Sequence, residues 1–364
     1  MQRPTQGQIE KLEKRNQYLQ EQLTLREKQL KKLRRKDMLF DAIMEDVDTL
    51  IKPIKALPTR YQLPKKGKDV DTEGMVLHIS DSHMDRIVLS SSVQNLESYN
   101  FKEAVIRAEN LIDGFLKIKE RKLTNYNFPV LTILMYGDNT NGEIHDYVSK
   151  SAFKNKFKNC FAVSNVYALM IRDLAPYFGK VNIIAVPGNH GRTTVKKDYE
   201  DAHNSWDYMI YESTRLLTKD LGNVEWKIPN SYSTIINIEG YNFFIEHGDD
   251  VKAWNGIPYY GIERKTRRIL ALQASNQMFI QYFVYGHFHT ATSMTNLGNS
   301  ETFINGAWYS TDPYALSMGY HTEPAQWMHG VSPTKGITFR YKVYLRNKAK
   351  KEPERYGEVL SLYN

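Results

Sequence analysis

Five stretches of this chain follow one design, and that design constrains the fold more than any other feature. Each is an apolar run of strand length that ends in Asp, Asn or His. They are Leu77-His78-Ile79-Ser80-Asp81-Ser82-His83, Leu134-Met135-Tyr136-Gly137-Asp138-Asn139, Ala185-Val186-Pro187-Gly188-Asn189-His190, Phe243-Phe244-Ile245-Glu246-His247-Gly248 and Val284-Tyr285-Gly286-His287-Phe288-His289. In α/β folds ligand-binding groups lie beyond the carboxyl ends of the strands. The repeated design therefore predicts several strands delivering polar side chains to one edge.

The intervening sequence supports this. Strands are expected at Met75–Ser80, Val130–Tyr136 and Val181–Val186, with helices at Phe101–Leu116 and over 148–178 between them. On the first helix Ala104, Val105, Ala108, Leu111, Ile112 and Phe115 share one face. A helix at Ser205–Leu217, a hairpin of Ser233–Ile238 and Tyr241–Glu246 about Glu239-Gly240, a basic helix at Gly261–Ala274 and a strand at Tyr282–Tyr285 follow. Short strands then run to about residue 345. This order, β-α-β-α-β and then a β-rich half, predicts an α/β fold: a mixed sheet or sandwich with helices outside.

The first 70 residues differ in kind. Ile9, Leu12, Asn16, Leu19, Leu23, Leu30 and Leu33 occupy a and d positions of a heptad pattern over residues 8–36, with Arg26 at the remaining d. That spacing is the coiled-coil pattern, and Asn16 at an a position is of the kind that fixes register. Either self-association through residues 8–36 or packing of this helix on its own domain satisfies it. Residues 38–51 continue helically. Pro53, Pro58, Pro64 and Gly67 then interrupt the pattern. The expected organisation is a helical coiled-coil arm at 1–52, a linker at 53–73, a motif-bearing domain at 74–345 and a polar tail at 346–364.

The net charge of +8 is not spread evenly. Residues 1–70 hold 17 of the 49 Lys and Arg and 10 of the 41 Asp and Glu, which leaves 32 and 31 for the remainder. The excess sits in the arm, where it suits either phosphate backbone or a solvated helix face. The one cysteine, Cys160, excludes an internal disulfide and a thiolate zinc site. Met1-Gln2-Arg3-Pro4 opens no apolar leader segment, and no apolar run reaches membrane-spanning length. The expected setting is a reducing cytoplasm without membrane association, that of the host for a phage-encoded chain.

The strand ends supply Asp81, His83, Asp138, Asn189, His247, His287 and His289 as candidate metal ligands. This oxygen and imidazole set suits manganese, iron or zinc. Seven ligands exceed the needs of one first-row ion and fit two divalent metal ions that share a bridge. His78 lies inside the first strand and reads as a hydrogen-bonded core residue. His145, His203, His321 and His329 lack the strand-end context.

Asp-x-His, Gly-Asp, Gly-Asn-His, His and Gly-His-x-His, in this order over about residues 74–310, resemble the calcineurin-like metallophosphoesterases. The resemblance implies a β-sandwich flanked by helices. Carried over position by position, it implies that Asp81, His83 and His289 hold one ion, Asn189, His247 and His287 the other, and that Asp138 bridges them. His190 would be catalytic, contacting the phosphoryl oxygens or protonating the leaving group, and a hydroxide generated between the metals would attack phosphorus in line. Two positions depart from the family pattern. Asn141 stands where a second Asp is usual, and Gly191 where Asp or Glu often follows Gly-Asn-His. Asp85 is the candidate to orient His190 instead, and Arg192 the candidate substrate-phosphate contact.

The protein-phosphatase motifs of the superfamily, Gly-Asp-x-Val-Asp-Arg and Arg-Gly-Asn-His-Glu, are not present. The chain looks more like the SbcD-type DNA-repair exonuclease branch and its phage-borne relatives. That likeness implies a manganese-dependent DNA nuclease, with DNA as partner and an ATPase subunit beside it. Trp254, Tyr259, Tyr260 and Trp308 are aromatic residues for base stacking or for the core. Two other functions stay open: a phosphodiesterase or phosphatase for a small nucleotide or other soluble ester, and a coiled-coil assembly protein with an accessory metal centre.

Overall fold

In the computed structural model, which describes residues 14–24, 26–27, 52–63, 70–142, 151–194, 196–252, 258–296, 298–347 and 349–363, each of the five runs forms a strand. The chain divides into two compact units, Met1–Lys52 and Pro53–Asn364. In the first unit, residues 14–24 and 26–27 are helical. Asn16, Leu19, Leu23 and Arg26 of the heptad pattern fall there. Ile9, Leu12, Leu30, Leu33, the expected helix at 38–51 and Trp254 lie outside the described residues.

The second unit is a sandwich. After the two-residue strands β1 (Asp71–Thr72) and β3 (Tyr126–Asn127), which pair with each other, come two larger sheets. The first contains β2 (Gly74–Ile79), β4 (Val130–Met135), β5 (Lys180–Ala185), β6 (Val224–Lys227), β12 (Ala325–Ser332) and β13 (Gly336–Tyr344), in the order β13-β12-β2-β4-β5-β6. From β2 to β6 it is parallel, with β12 added antiparallel to β2. The second contains β7 (Ser233–Ile238), β8 (Tyr241–Glu246), β9 (Tyr282–Tyr285), β10 (Thr292–Thr295) and β11 (Glu301–Ile304), in the order β10-β11-β9-β8-β7.

The alternation of side chains along each strand builds two cores. Val76, Leu134 and Ile184 of the first sheet meet Ile236, Phe243, Ile245, Val284 and Phe303 of the second. Phe244 and Phe283 point the other way, onto Ile262 of the helix Tyr259–Ala274. The helices are α1 (Phe101–Lys122), α2 (Lys156–Leu174), α3 (Trp206–Leu217), α4 (Tyr259–Ala274), α5 (Pro313–Ser317) and α6 (Glu358–Tyr363). The expected apolar face of α1 is buried throughout. The helix runs past Leu116 because Lys117-Ile118-Lys119-Glu120-Arg121-Lys122 contains mostly good helix formers and no breaker. The α2 helix begins later than expected because Asn155 caps it, its side chain accepting the Lys158 N–H at 3.1 Å. Of the helix expected over 148–178, residues 148–150 lie outside the described residues. No described helix is long and apolar enough to cross a membrane.

Two segments that read as connectors are part of the second unit. The Ile54 N–H donates to the Leu217 carbonyl at 2.9 Å, and those of Arg60 and Tyr61 to Pro176 at 2.7 Å each. Proline-rich composition marks an extended chain, and this one is extended along the domain. In the C-terminal tail Tyr356 and Val359 are buried. The Glu109 carboxylate of α1 accepts the N–H groups of Glu354, Arg355 and Tyr356 at 2.9, 2.6 and 2.6 Å. Removing residues 1–73 deletes the Ile54, Arg60 and Tyr61 hydrogen bonds and β1, and should lower the urea unfolding midpoint below that of protein lacking only 1–52, at about 1 kcal/mol per hydrogen bond; equal midpoints would contradict it.

The inter-sheet core also buries two histidines. His78 is bonded to Tyr136 Oη at 2.9 Å and packs 4.8 Å from the ring of His329, whose two nitrogens make no hydrogen bond among the described residues. Burial lowers the pKa of His78 to about 3 and puts His329 well below its ordinary value. The unfolded chain binds protons at these positions below about pH 6.5 and the folded chain does not. Stability should therefore fall as pH drops from about 6.5 toward 3, at up to about 1.4 kcal/mol per pH unit for each histidine. Substitution His329→Phe should flatten that slope in thermal melts; an unchanged slope would remove the pair as its cause.

Candidate metal centre

Strand register brings the motif residues together. Ile79 pairs with Met135 and Met135 with Ala185, so β2, β4 and β5 end level. In the other sheet Glu246 pairs with Tyr285, so β8 and β9 end level too. The polar residues follow immediately. The turns that carry them are tight: Asp81, His83, Asp138, His287 and His289 all have left-handed backbones, with φ between 39° and 67°. Non-glycine residues adopt this region rarely, and clusters of them mark functional sites. Two glycines allow the turns to touch. A Cβ on Gly188 would lie 2.3 Å from Asp138 Oδ1, and one on Gly286 would lie 2.5 Å from Asp81 Oδ2.

The side chains form two adjoining groups. Asp81, His83 and His289 present ligand atoms within 4.8 Å of one another, and so do Asp138, His247 and His287. Asp138 stands between the groups, its Oδ2 3.8 Å from His83 Nε2 and 3.0 Å from His247 Nε2. Asn189 joins the second group, with Oδ1 3.0 Å from both His247 Nε2 and His287 Nδ1. All seven predicted ligands thus meet. The donors fit divalent cations on two further observations. Both ring nitrogens of His83 are buried and make no hydrogen bond among the described residues. Burial alone would raise the Asp138 pKa, but the imidazoles of His247, His190 and His83 outweigh it and hold the carboxyl well below its usual range. Burial likewise opposes charge on His247, yet Asp138 overrides it and draws a proton onto that ring.

Backbone carbonyls orient the imidazoles. His247 Nδ1 donates to the Tyr136 carbonyl at 2.8 Å, which leaves Nε2 for the centre. His190 Nδ1 donates to the Asn141 carbonyl at 2.9 Å, and its Nε2 lies 4.0 Å from Asp138 Oδ2. Asp85 does not touch His190. It acts one step away, its Oδ1 accepting the Asn141 N–H at 2.6 Å while Oδ2 takes the Ser151 hydroxyl at 2.6 Å. Arg192 turns back on its own loop, Nε donating to the Asn189 carbonyl at 3.1 Å. The guanidinium that lines the cavity over the site is Arg86, which donates to Asn141 Oδ1 at 3.0 Å and Asp312 Oδ2 at 2.9 Å. Trp308 is fully buried and belongs to the core, whereas Tyr259 and Tyr260 are exposed.

Asp207 was not legible as a site residue. It lies in the first turn of α3, fully buried, and its carboxylate accepts the N–H groups of Gly188, Asp138 and Asn139 at 2.9, 3.1 and 3.1 Å and the Asn139 amide at 2.7 Å. It clamps two of the motif turns to each other. It also explains Gly191: a Cβ there would lie 2.5 Å from Asp207 Oδ2. The carboxylate that the motif lacks at position 191 arrives from another segment. The only local signal was an acidic residue two places after a capping serine, which reads equally as a helix-dipole partner. Asp207→Asn turns an amide NH₂ toward N–H donors and should destabilise the fold by about 2–4 kcal/mol while weakening metal loading. Denaturant titration and metal analysis of the purified variant check this; wild-type values in both would refute the clamp.

Comparison with curated proteins finds no match. Among solved structures, the chain is similar to an archaeal phosphodiesterase at 11% identity, over 74% of this chain and 99% of that one, with a TM-score of 0.33. It is similar to Vps29 from Entamoeba histolytica complexed with zinc at 11% identity, over 74% and 99%, with a TM-score of 0.30. A 5'-nucleotidase from Candida albicans matches at 11% identity over 85% and 59%, with a TM-score of 0.36. A family model for calcineurin-like phosphoesterases matches residues 74–291. That span opens at β2, closes two residues after His289 and takes in all five strand ends, so this chain belongs to the calcineurin-like phosphoesterase family.

Proposed function

We propose that this protein is a two-metal phosphoester hydrolase and, within that class, a manganese-dependent DNA nuclease. The observation that carries the reading is the meeting of seven metal-ligand side chains with His190 beneath one cavity of about 810 Å³. Asp81, His83 and His289 would hold one ion and Asn189, His247 and His287 the other, with Asp138 shared. Bound ions would supply Lewis acidity toward a phosphoryl oxygen and a nucleophile at neutral pH. Manganese, with iron or zinc as alternatives, suits donors that are oxygen and imidazole without thiolate.

The protein's own residues position and move the proton. The Asn141 carbonyl can only accept, so His190 Nδ1 carries the hydrogen of that bond. His190 lines the cavity, which places it to protonate a leaving oxygen there. Asp85 and Arg86 fix Asn141 from its backbone and its side chain, and thereby fix the ring.

DNA as substrate is supported by exposed Arg264, Arg267 and Arg268 on α4, the helix whose first residue, Tyr259, lines the cavity. The basic arm adds to it, and Leu19 and Leu23, exposed on the helix at 14–24, support self-association through residues 8–36. A second reading, hydrolysis of a small nucleotide or other soluble ester, is favoured by the cavity lining. Arg86 is its only Lys or Arg among the described residues, and Asp312 neutralises it.

End-labelled single-stranded and duplex DNA with Mn²⁺, beside a chromogenic phosphodiester, tests both readings. Wild-type protein should degrade DNA, and His190→Ala should slow it about 10²–10⁴-fold, with Asp138→Ala inactive. Turnover of the small ester with intact DNA would replace the nuclease by the soluble-ester enzyme. No hydrolysis of either by metal-loaded protein would overturn both.

A further inference from the structure

Part of the cavity lining outside the metal-ligand residues is aromatic and exposed. Tyr259, Tyr314, Met318 and Tyr320 line it and are 41%, 67%, 49% and 45% exposed. Large apolar side chains gathered in solvent around a site mark a binding surface. This one is built in place. Three of the four come from the segment 310–322, which is fastened to the site at both ends. Asp312 caps α5 by accepting the Ala315 N–H at 2.8 Å and, through its other oxygen, holds Arg86 at 2.9 Å. Thr322 Oγ1 donates to the carbonyl of His289 at 3.0 Å. The segment that carries three of them is therefore tied to Arg86 and His289.

We propose that Tyr259, Tyr314, Met318 and Tyr320 form a subsite for an unpaired nucleobase, beside the site where metal ions held by Asp81, His83, Asp138, Asn189, His247, His287 and His289 would take the phosphate. The proposal rests on the phosphoester-hydrolase reading and names the substrate class. Three observations select this occupant. The volume of about 810 Å³ lies in the range of a pocket for one ligand of nucleotide size. The lining offers no unneutralised Lys or Arg among the described residues, so this part of the cavity suits an uncharged base rather than a second phosphate group. Aromatic rings hold any base by its flat face, and a base paired within a duplex has no free face to offer. The substrate is then single-stranded at the point of cleavage.

The test uses full-length protein and short DNA strands with 2-aminopurine, whose fluorescence is quenched on stacking, and an abasic strand of the same length as competitor. Protein with Mn²⁺ that is wild type but for His190→Ala, which slows cleavage, should further quench the base in the single strand and leave unchanged the same base in a duplex, where its stacked neighbours already quench it. Tyr314→Ala and Tyr320→Ala should each weaken single-strand binding about tenfold, while Tyr314→Phe retains it. The abasic strand should bind wild type about as weakly as the intact strand binds the alanine variants, and those variants should lose no further affinity for it. A 2-aminopurine mononucleotide that quenches as well as the strand would identify free nucleotides as the source of the base. Equal binding of abasic and intact strands by wild type, or alanine variants with unchanged affinity, would overturn the subsite. Base-dependent quenching by a protein that hydrolyses no phosphoester would instead remove the hydrolase reading and leave the stacking surface standing.

Discussion

The candidate metal centre depends on strands of both sheets ending at one level. Each donor sits within a few residues of a strand end, so the register that aligns Ile79, Met135 and Ala185, and separately Glu246 and Tyr285, also aligns the donors. A slip of one residue would shift a donor by about 3.3 Å along the strand and turn its strand's core face to the wrong side. The apolar alternation that fills the sandwich with Val76, Leu134, Phe243, Ile245 and Val284 is therefore also what sets the chemistry. Packing and function are specified by the same side-chain pattern.

Level strand ends would not suffice with relaxed turns. Five of the seven ligand candidates have left-handed backbones, a conformation that costs on the order of 1–3 kcal/mol for each residue. The structure holds them by over-determination. Asp207 takes the N–H groups of two turns at once, Gly137 and Gly188 let those turns approach, and the His287 N–H donates to Asp81 Oδ1 at 2.8 Å, tying the two sheets across the site. Buried carboxylates thus do separate work. Asp138 is ringed by imidazoles, Asp207 by backbone N–H groups, and Asp85 by the Asn141 N–H and the Ser151 and Thr140 hydroxyls.

Much of this was legible because its causes are local. The strands were read from apolar runs closed by polar residues, and β7, β8 and β9 fall where the pattern places them. The seven ligand candidates were read from strand-end position, and the structure gathers all seven. What stayed open in the sequence shares one cause. Trp308 reads as a residue for base stacking or for the core, and its burial follows from segments far away in sequence. The stretch at 53–63 and the tail after 346 have the composition of connectors and are nonetheless hydrogen-bonded to the domain. Asp85 was the right carboxylate to examine, but the peptide group of Asn141 intervenes between it and His190.

The sequence by itself determined which residues are strand ends, which side chains gather there and what class of chemistry they suit. Periodicity and residue type are properties of neighbours along the chain, and they survive without coordinates. Only the tertiary structure decided how those side chains are held: Asp207 beneath turns 68 and 69 residues earlier, and Arg86 joined to Asp312 across 226 residues. Such pairs carry no periodic signal. A buried carboxylate acquires its role from whichever N–H groups the packing leaves unpaired around it, and that is known only once both sheets are in place.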